Sequence, residues 1–568
     1  MLMQMRRLVR LALGLIALVA SAQAASKPNI ILITLDAARA DRMGFLGAKG
    51  KITPNLDQLA RESLVFEHAY AQSPSTVASH ATILTGTYPQ TAQVSEFGLP
   101  LSSSLPYLPD LLHARGYRTA AFVGSIALDP RNGMAPGFDR GFDVYDAGFH
   151  EVEPGEAHPQ EARGGAEVAA RAVAWLTSNS RWPFFLWVHL NDAANAHRSL
   201  YDAAVHSEDT AAGRLLTALR ARKLYRDAII VVAADHGESL GAHGEDAHGI
   251  FLYDETIHVP LLLKLPAGQM ARKQVTAKAR LVDVAPSILE AAGAGAPPEM
   301  QGQSLLRIAQ SGAGAEQPAY SRSDFPEQAF GWSGLESWRA GKYLYIRAPR
   351  PELYDVAADP GATHNLAATS HTILDTIAGQ LQAFDSHFIG GNAPAALTSS
   401  EMQKLASLGY VGLQKQSSGS TAATGTDPKD AIATANKLQA ALAKLGAGMA
   451  DQAMAEAEAV AAKQPGVYLA QYIVGVANLR RGQYAKAVHS LHRAIEIFPD
   501  ASWAHYYMGE SLIKTGDFKT AAVHLEIACN RLPKLAAAHQ LLAQAYEHLG
   551  RSEEARRERT QAATPAKP

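Results

Sequence analysis

Asp227-Ala-Ile-Ile-Val-Val-Ala-Ala-Asp235-His236-Gly-Glu-Ser-Leu-Gly-Ala-His243-Gly-Glu-Asp-Ala-His248-Gly249 carries a buried-strand pattern straight into a set of oxygen and nitrogen donors. Ile229 to Val232 are four consecutive β-branched residues, which suits a strand covered on both faces. Ligands of open α/β sheets gather beyond the carboxyl ends of such strands, where Asp235 and His236 fall. A turn at Gly237 lets an aspartate oxygen and an imidazole nitrogen converge on one divalent cation. Outward from this stretch, the apolar runs Ile30 to Leu35, Thr119 to Val123, Phe184 to Leu190 and Pro260 to Leu265 alternate with amphipathic helical segments. The alternation predicts an α/β fold with a mostly parallel central sheet between helices, extending from Pro28 to about Ala292. Asp36 leaves the first run as Asp235 leaves its own, and is the natural third metal ligand.

The rest of the chain divides around that core. Its 568 residues exceed one core and imply two to four domains. A net charge of -2, from 52 basic and 54 acidic residues, excludes a nucleic-acid binder that works through bulk electrostatics. Residues 1–24 read as an export signal: arginines, the apolar run Leu11 to Ala20, and the small-x-small ending Ala22-Gln23-Ala24. The expected location is therefore periplasmic or secreted. Cys529 is the single cysteine, so the exported chain forms no internal disulfide and depends on its packed core. Residues 25–315 are expected to form the catalytic α/β part and 316–412 a small C-terminal subdomain with antiparallel strands at Leu335 to Arg339 and Tyr343 to Arg347. A Ser/Thr/Gly-rich linker covers 413–427. From 428 to 568 the chain repeats every 34 residues: Gly448, Gly482, Gly516, Gly550; Ala453, Ala487, Ala521, Ala555; Pro465, Pro499, Pro533. This register resembles the tetratricopeptide repeat, an all-α array of helix-turn-helix units. The resemblance implies a concave surface for a protein or peptide partner.

A further segment carries chemistry. In Gln72-Ser-Pro-Ser-Thr76-Val-Ala-Ser79-His80-Ala-Thr-Ile-Leu-Thr85-Gly86, Thr76 opens a helix. Free N–H groups and the positive end of the helix dipole there lower the cost of an alkoxide or a bound oxyanion. From about Pro28 to Gly412 the chain resembles the sulfatase branch of the alkaline-phosphatase-like superfamily. The matching segments are Thr53-Pro-Asn-Leu-Asp57, Leu84-Thr-Gly86, Gly116-Tyr-Arg-Thr-Ala120, Arg140-Gly-Phe-Asp143, Asp235-His-Gly-Glu238, Val259-Pro-Leu261 and Glu352-Leu-Tyr-Asp355. The resemblance implies an alkaline-phosphatase-like sandwich and a sulfuric or phosphoric ester hydrolase.

It also exposes departures. Where sulfatases carry a Cys or Ser nucleophile, then Pro and Arg, this chain has Thr76, Ala78 and His80. Threonine cannot be oxidised to the formylglycine aldehyde. Thr76 is instead similar to the threonine nucleophile of phosphodiesterases and phosphoethanolamine transferases of the same superfamily. The substrate-contacting histidine after the Phe184 strand is replaced by Ala194. The reading that follows places a divalent ion, zinc or manganese before calcium, on Asp36, Asp235, His236 and Thr76. Thr76 attacks sulfur or phosphorus, and His80, His189 and His248 support charge and proton transfer. Two other activities fit the same residues: a phosphoethanolamine-type transferase, and a degenerate sulfatase-fold binding protein.

Overall fold

The computed structural model describes residues 27–563 except 132–133, 150–153, 155–161, 195, 312–316, 389–396, 409 and 411–424. The export signal at 1–24 and most of the linker at 413–427 lie outside the described residues. Among the described residues, no helix is long and apolar enough to cross a membrane.

Among the described residues, nine strands form the main sheet: β1 (Ile30–Leu35), β2 (Leu64–Tyr70), β3 (Arg118–Val123), β4 (Val144–Asp146), β5 (Phe184–Leu190), β6 (Ile229–Ala234), β7 (His258–Lys264), β8 (Lys273–Val275) and β9 (Ala279–Arg280). Their order is β4-β3-β5-β1-β6-β7-β2-β8, with β9 beside β2. The centre is parallel, since β5 and β6 both run parallel to β1, while β7 is antiparallel to β6 and to β2. Every residue of β1, β5 and β6 is buried, so these runs need no polar alternation. Each fully buried aliphatic side chain contributes about 1.5–3 kcal/mol to the fold. Thr34 pairs in register with His189 on one side and Ala233 on the other, so the polar ends of β1, β5 and β6 come out together. Helices flank the sheet, among them α1 (Thr76–Thr85), α2 (Gly165–Asn179) and α3 (Tyr201–Ala221). A four-stranded antiparallel sheet follows: β10 (Ala319–Ser323), β11 (Leu335–Ala340), β12 (Tyr343–Arg347) and β13 (Glu352–Asp355), packed on α4 (His371–Asp385).

After α5 (Ser399–Ser407), the described residues form eight antiparallel helices: α6 (Pro428–Gly446), α7 (Ala450–Lys463), α8 (Tyr468–Arg480), α9 (Tyr484–Ile497), α10 (Ser502–Thr515), α11 (Phe518–Arg531), α12 (Ala536–His548) and α13 (Ser552–Ala562). The four periodic glycines stand between the helices of a pair with φ from +70° to +84°, which explains their residue type. The periodic alanines are buried at the helix crossings. A Cβ on Gly509 would lie 2.4 Å from Leu525 Cγ. Gly509→Ala is therefore expected to destabilise the array by about 1–3 kcal/mol, readable as a lower midpoint in thermal denaturation.

Candidate active site

The polar ends of β1 and β6 build the floor. Asp36 N–H donates to Leu190 O at 2.8 Å and Asp235 N–H to Leu35 O at 3.2 Å, so sheet bonding continues to both aspartates and fixes where their side chains begin. Asp235 Oδ1 accepts from Ala37 N (3.1 Å) and His236 N (2.8 Å). Asp235 Oδ2 and Asp36 Oδ1 are buried with no hydrogen-bond partner among the described residues. His236 Nδ1 lies 2.8 Å from Gly237 O and donates to it, which leaves the Nε2 lone pair facing the carboxylates. That nitrogen is 3.5 Å from Asp36 Oδ1, 3.6 Å from Asp235 Oδ2 and 3.2 Å from Thr76 Oγ1.

This donor set fits a divalent cation. One ligand atom each from Asp36, Asp235 and His236 lies within 4.8 Å of the others. Two unpartnered carboxylate oxygens and an imidazole lone pair form an arrangement that a cation satisfies and that burial otherwise penalises. The electrostatics agree. Burial, with the Asp36 carboxylate beside it, pushes Asp235 well above the usual carboxylate range. Burial opposes ionisation of Asp36 too, but the hydrogen bond and charge of His189 outweigh it and hold Asp36 at about 2. Burial, then the neighbouring charge of His248, lowers His236 to about 3, so its ring is neutral and ligand-ready.

Thr76 enters from above. It is the first residue of α1, whose ten residues are all buried, and Ser79 Oγ ties the helix to Asp235 O at 2.6 Å. The structure thus brings Thr76, Asp36, Asp235 and His236 together. His80 and His189 lie behind them, both fully buried, with ring centroids 4.7 Å apart. His80 Nδ1 is 2.8 Å from Thr76 O and 3.4 Å from Asp235 Oδ2, and burial holds its ring well below the usual imidazole range. His189 Nε2 is 3.2 Å from Asp36 Oδ2. His248 stands at the mouth: its ring lies 4.4 Å from that of His236, its Nδ1 is 3.1 Å from Glu238 Oε2, and its side chain is 19% exposed. Burial disfavours its charge, but the Glu238 carboxylate outweighs that and pushes His248 up to about 10.

Several residues here carry no motif that would single them out in the sequence. Thr34 Oγ1 accepts from Trp187 Nε1 (3.0 Å) and lies 3.0 Å from His80 Nε2 and 3.1 Å from His189 Nδ1, so one hydroxyl orients both rings. Glu96 Oε1 accepts from Val77 N–H at 2.8 Å, in the first turn of α1. Glu245, in the loop before His248, accepts from Ile250 N and Phe251 N, yet burial pushes it up to about 8. A carboxyl raised from 4.5 contributes stability that is complete below pH 4.5 and is lost as pH rises through about 8. Glu245→Gln should remove that loss, flattening the fall of stability across this window by about 1 kcal/mol per pH unit in denaturant titrations. His197, exposed, bonds Ser199 in its own turn.

Comparison with known proteins accords with this architecture. The Sulfatase family model matches residues 28–294, and the N-sulphoglucosamine sulphohydrolase C-terminal model matches 246–384. A tetratricopeptide repeat model matches 469–501. An ulvan-active sulfatase of Formosa agariphila is 26% identical over 414 residues, covering 63% of this chain and 80% of that protein. An uncharacterized sulfatase of Escherichia coli is 24% identical over 424 residues, covering 60% and 83%. In fold, the chain is similar to the phosphonate monoester hydrolase of Agrobacterium radiobacter, with a TM-score of 0.53 and 21% identity over 66% of this chain and 98% of that one. With two overlapping models spanning residues 28–384, this part of the chain belongs to the sulfatase family of hydrolases, and tetratricopeptide repeats follow it.

Proposed function

We propose that this protein is an exported, metal-dependent hydrolase of sulfate or phosphate esters in which Thr76 is the nucleophile. The observation that carries the reading is the position of Thr76 Oγ1, at the start of a buried helix and 3.2 Å from His236 Nε2, beside two unpartnered carboxylate oxygens. Asp36, Asp235 and His236 would hold the ion, with Thr76 facing it. The histidine nitrogen favours zinc or manganese, and calcium would rely on the oxygens. Such an ion, when bound, favours the ionised form of a nearby hydroxyl and offsets charge on the ester.

The chain's own residues do the rest. Thr76 Oγ forms a bond to sulfur or phosphorus as the bond to the leaving oxygen breaks, and its proton is lost to solvent. His248, protonated and partly exposed at the mouth, gives a proton to the leaving oxygen and faces the ester's negative charge. Water then attacks the Thr76 ester, releasing sulfate or phosphate and returning a proton to Oγ. His189 holds Asp36 and His80 holds the first turn of α1, both oriented by Thr34. Burial suits them to positioning. Protein recognition through the repeats belongs to the same proposal, with the outer faces of α7 and α9 available for a partner.

The test is hydrolysis of paired aryl sulfate and aryl phosphate esters by residues 25–568, with zinc, manganese or calcium added after chelation. The reading expects turnover of one ester class that one of these ions restores. Turnover insensitive to chelation, or none with any ester and ion, goes against it.

A further inference from the structure

The inner helices of the repeat array rest on the rim of the site. In α8 and α10 nearly every residue is buried, whereas α7 and α9 keep an exposed face. Loops of the catalytic half account for part of that cover. Phe97, next to Glu96, meets Tyr468 and Phe498 edge-on, each at 5.4 Å, and Ser502 Oγ donates to Gly98 O at 3.1 Å. Lys534 pairs with Asp139.

The first repeat helix reaches the other rim loop. Asn436 uses both ends of its amide there: Nδ2 donates to Gly244 O at 2.8 Å and Oδ1 accepts from Asp246 N at 3.2 Å. Three residues on, one turn along the same face of α6, Gln439 Nε2 donates to His248 O at 3.0 Å. This loop has an unusual backbone. Leu240 and His243 have φ of 54° and 52°, and Gly241, Gly244 and Gly249 are also positive. L side chains rarely adopt that region, so the loop keeps its shape only where its surroundings fix it. Glu245 fixes the downstream side through Ile250 N and Phe251 N, and α6 fixes the stretch between 244 and 248.

We propose that Asn436 and Gln439 are positioning residues for the catalytic site: from the first repeat helix they hold the backbone of the 244–248 loop and so set where His248 stands beside His236. The inference rests on the hydrolase reading above. It gives the repeats a duty within their own chain, distinct from recruitment of a partner.

The experiment compares the full chain with the double variant Asn436→Ala/Gln439→Ala, and uses Arg350→Ala as control. Arg350 pairs with Asp430 on the same helix, in an exposed ion pair that does not touch the loop. Hydrogen–deuterium exchange of peptides covering 240–250 is expected to rise about 10-fold in the double variant, with β6 unchanged. On the ester turned over best, kcat should fall roughly 10- to 100-fold with KM within about 3-fold, at a temperature where circular dichroism shows the variant folded. Arg350→Ala should change neither. Unaltered loop exchange in the double variant, or equal changes in the control, overturns the proposal. A wild-type chain that turns over no ester defeats the hydrolase reading instead, and the exchange data still decide whether α6 holds the loop.

Discussion

Thr76→Ala is expected to lower turnover by on the order of 10³-fold or more, because it removes the atom that attacks while leaving the rest of the site in place. The loss should fall on kcat, since the Thr76 hydroxyl is needed in the transition state and contributes little to holding the ester. α1 should survive, because the contacts that seat it come from Ser79 Oγ on Asp235 O and from the His80 ring on Thr34 Oγ1, and neither involves the Thr76 side chain. Thr76→Ser keeps the hydroxyl and should stay within about 10-fold of wild type. Steady-state kinetics on one ester, with metal content measured in parallel, separate this outcome from simple loss of the ion.

Asp235→Asn should produce the second large effect, visible without any substrate. In the metal-free protein Asp36 and Asp235 are buried side by side, and burial with the Asp36 carboxylate beside it raises Asp235 and favours its neutral form. A neutral amide in its place should therefore leave the chelated protein as stable as wild type or more so. Wild type, given the ion at about 100 times its dissociation constant, should gain about 2.7 kcal/mol, a rise of a few degrees in melting temperature. Asp235→Asn should lose most of that gain and most of its activity. A variant that the ion still stabilises as fully as wild type would remove Asp235 from the ligand set.

Much of this was legible in the sequence where one residue type has one structural use. The unbroken β-branched and apolar runs of β1, β5 and β6 suit only strands covered on both faces, and Asp36, Asp235 and His236 follow two of those runs directly in the sequence. The glycines at 34-residue spacing fell at left-handed turns, which little else tolerates. β2 is not legible as a strand because Glu67 and His68 interrupt its pattern, at the place where its pairing with β7 shifts register. Thr34 reads as one more β-branched strand residue, and only the arrival of Trp187, His80 and His189 from elsewhere makes it a hub. Glu96 lies in a stretch without periodicity, and its place at the start of α1 is a tertiary fact. Docking of the repeats on the catalytic half was hidden for a related reason: aromatic residues such as Tyr468 fit an open ligand surface and a closed interface equally well.

Thr76 as nucleophile is tested by rapid-quench mass spectrometry of the metal-loaded enzyme with an ester whose sulfuryl- or phosphoryl-enzyme hydrolyses slowly, followed by peptide mapping. A transient sulfuryl or phosphoryl group is expected on the peptide holding Thr76, absent in Thr76→Ala. Full turnover with no adduct on that residue, or with the adduct elsewhere, would contradict it.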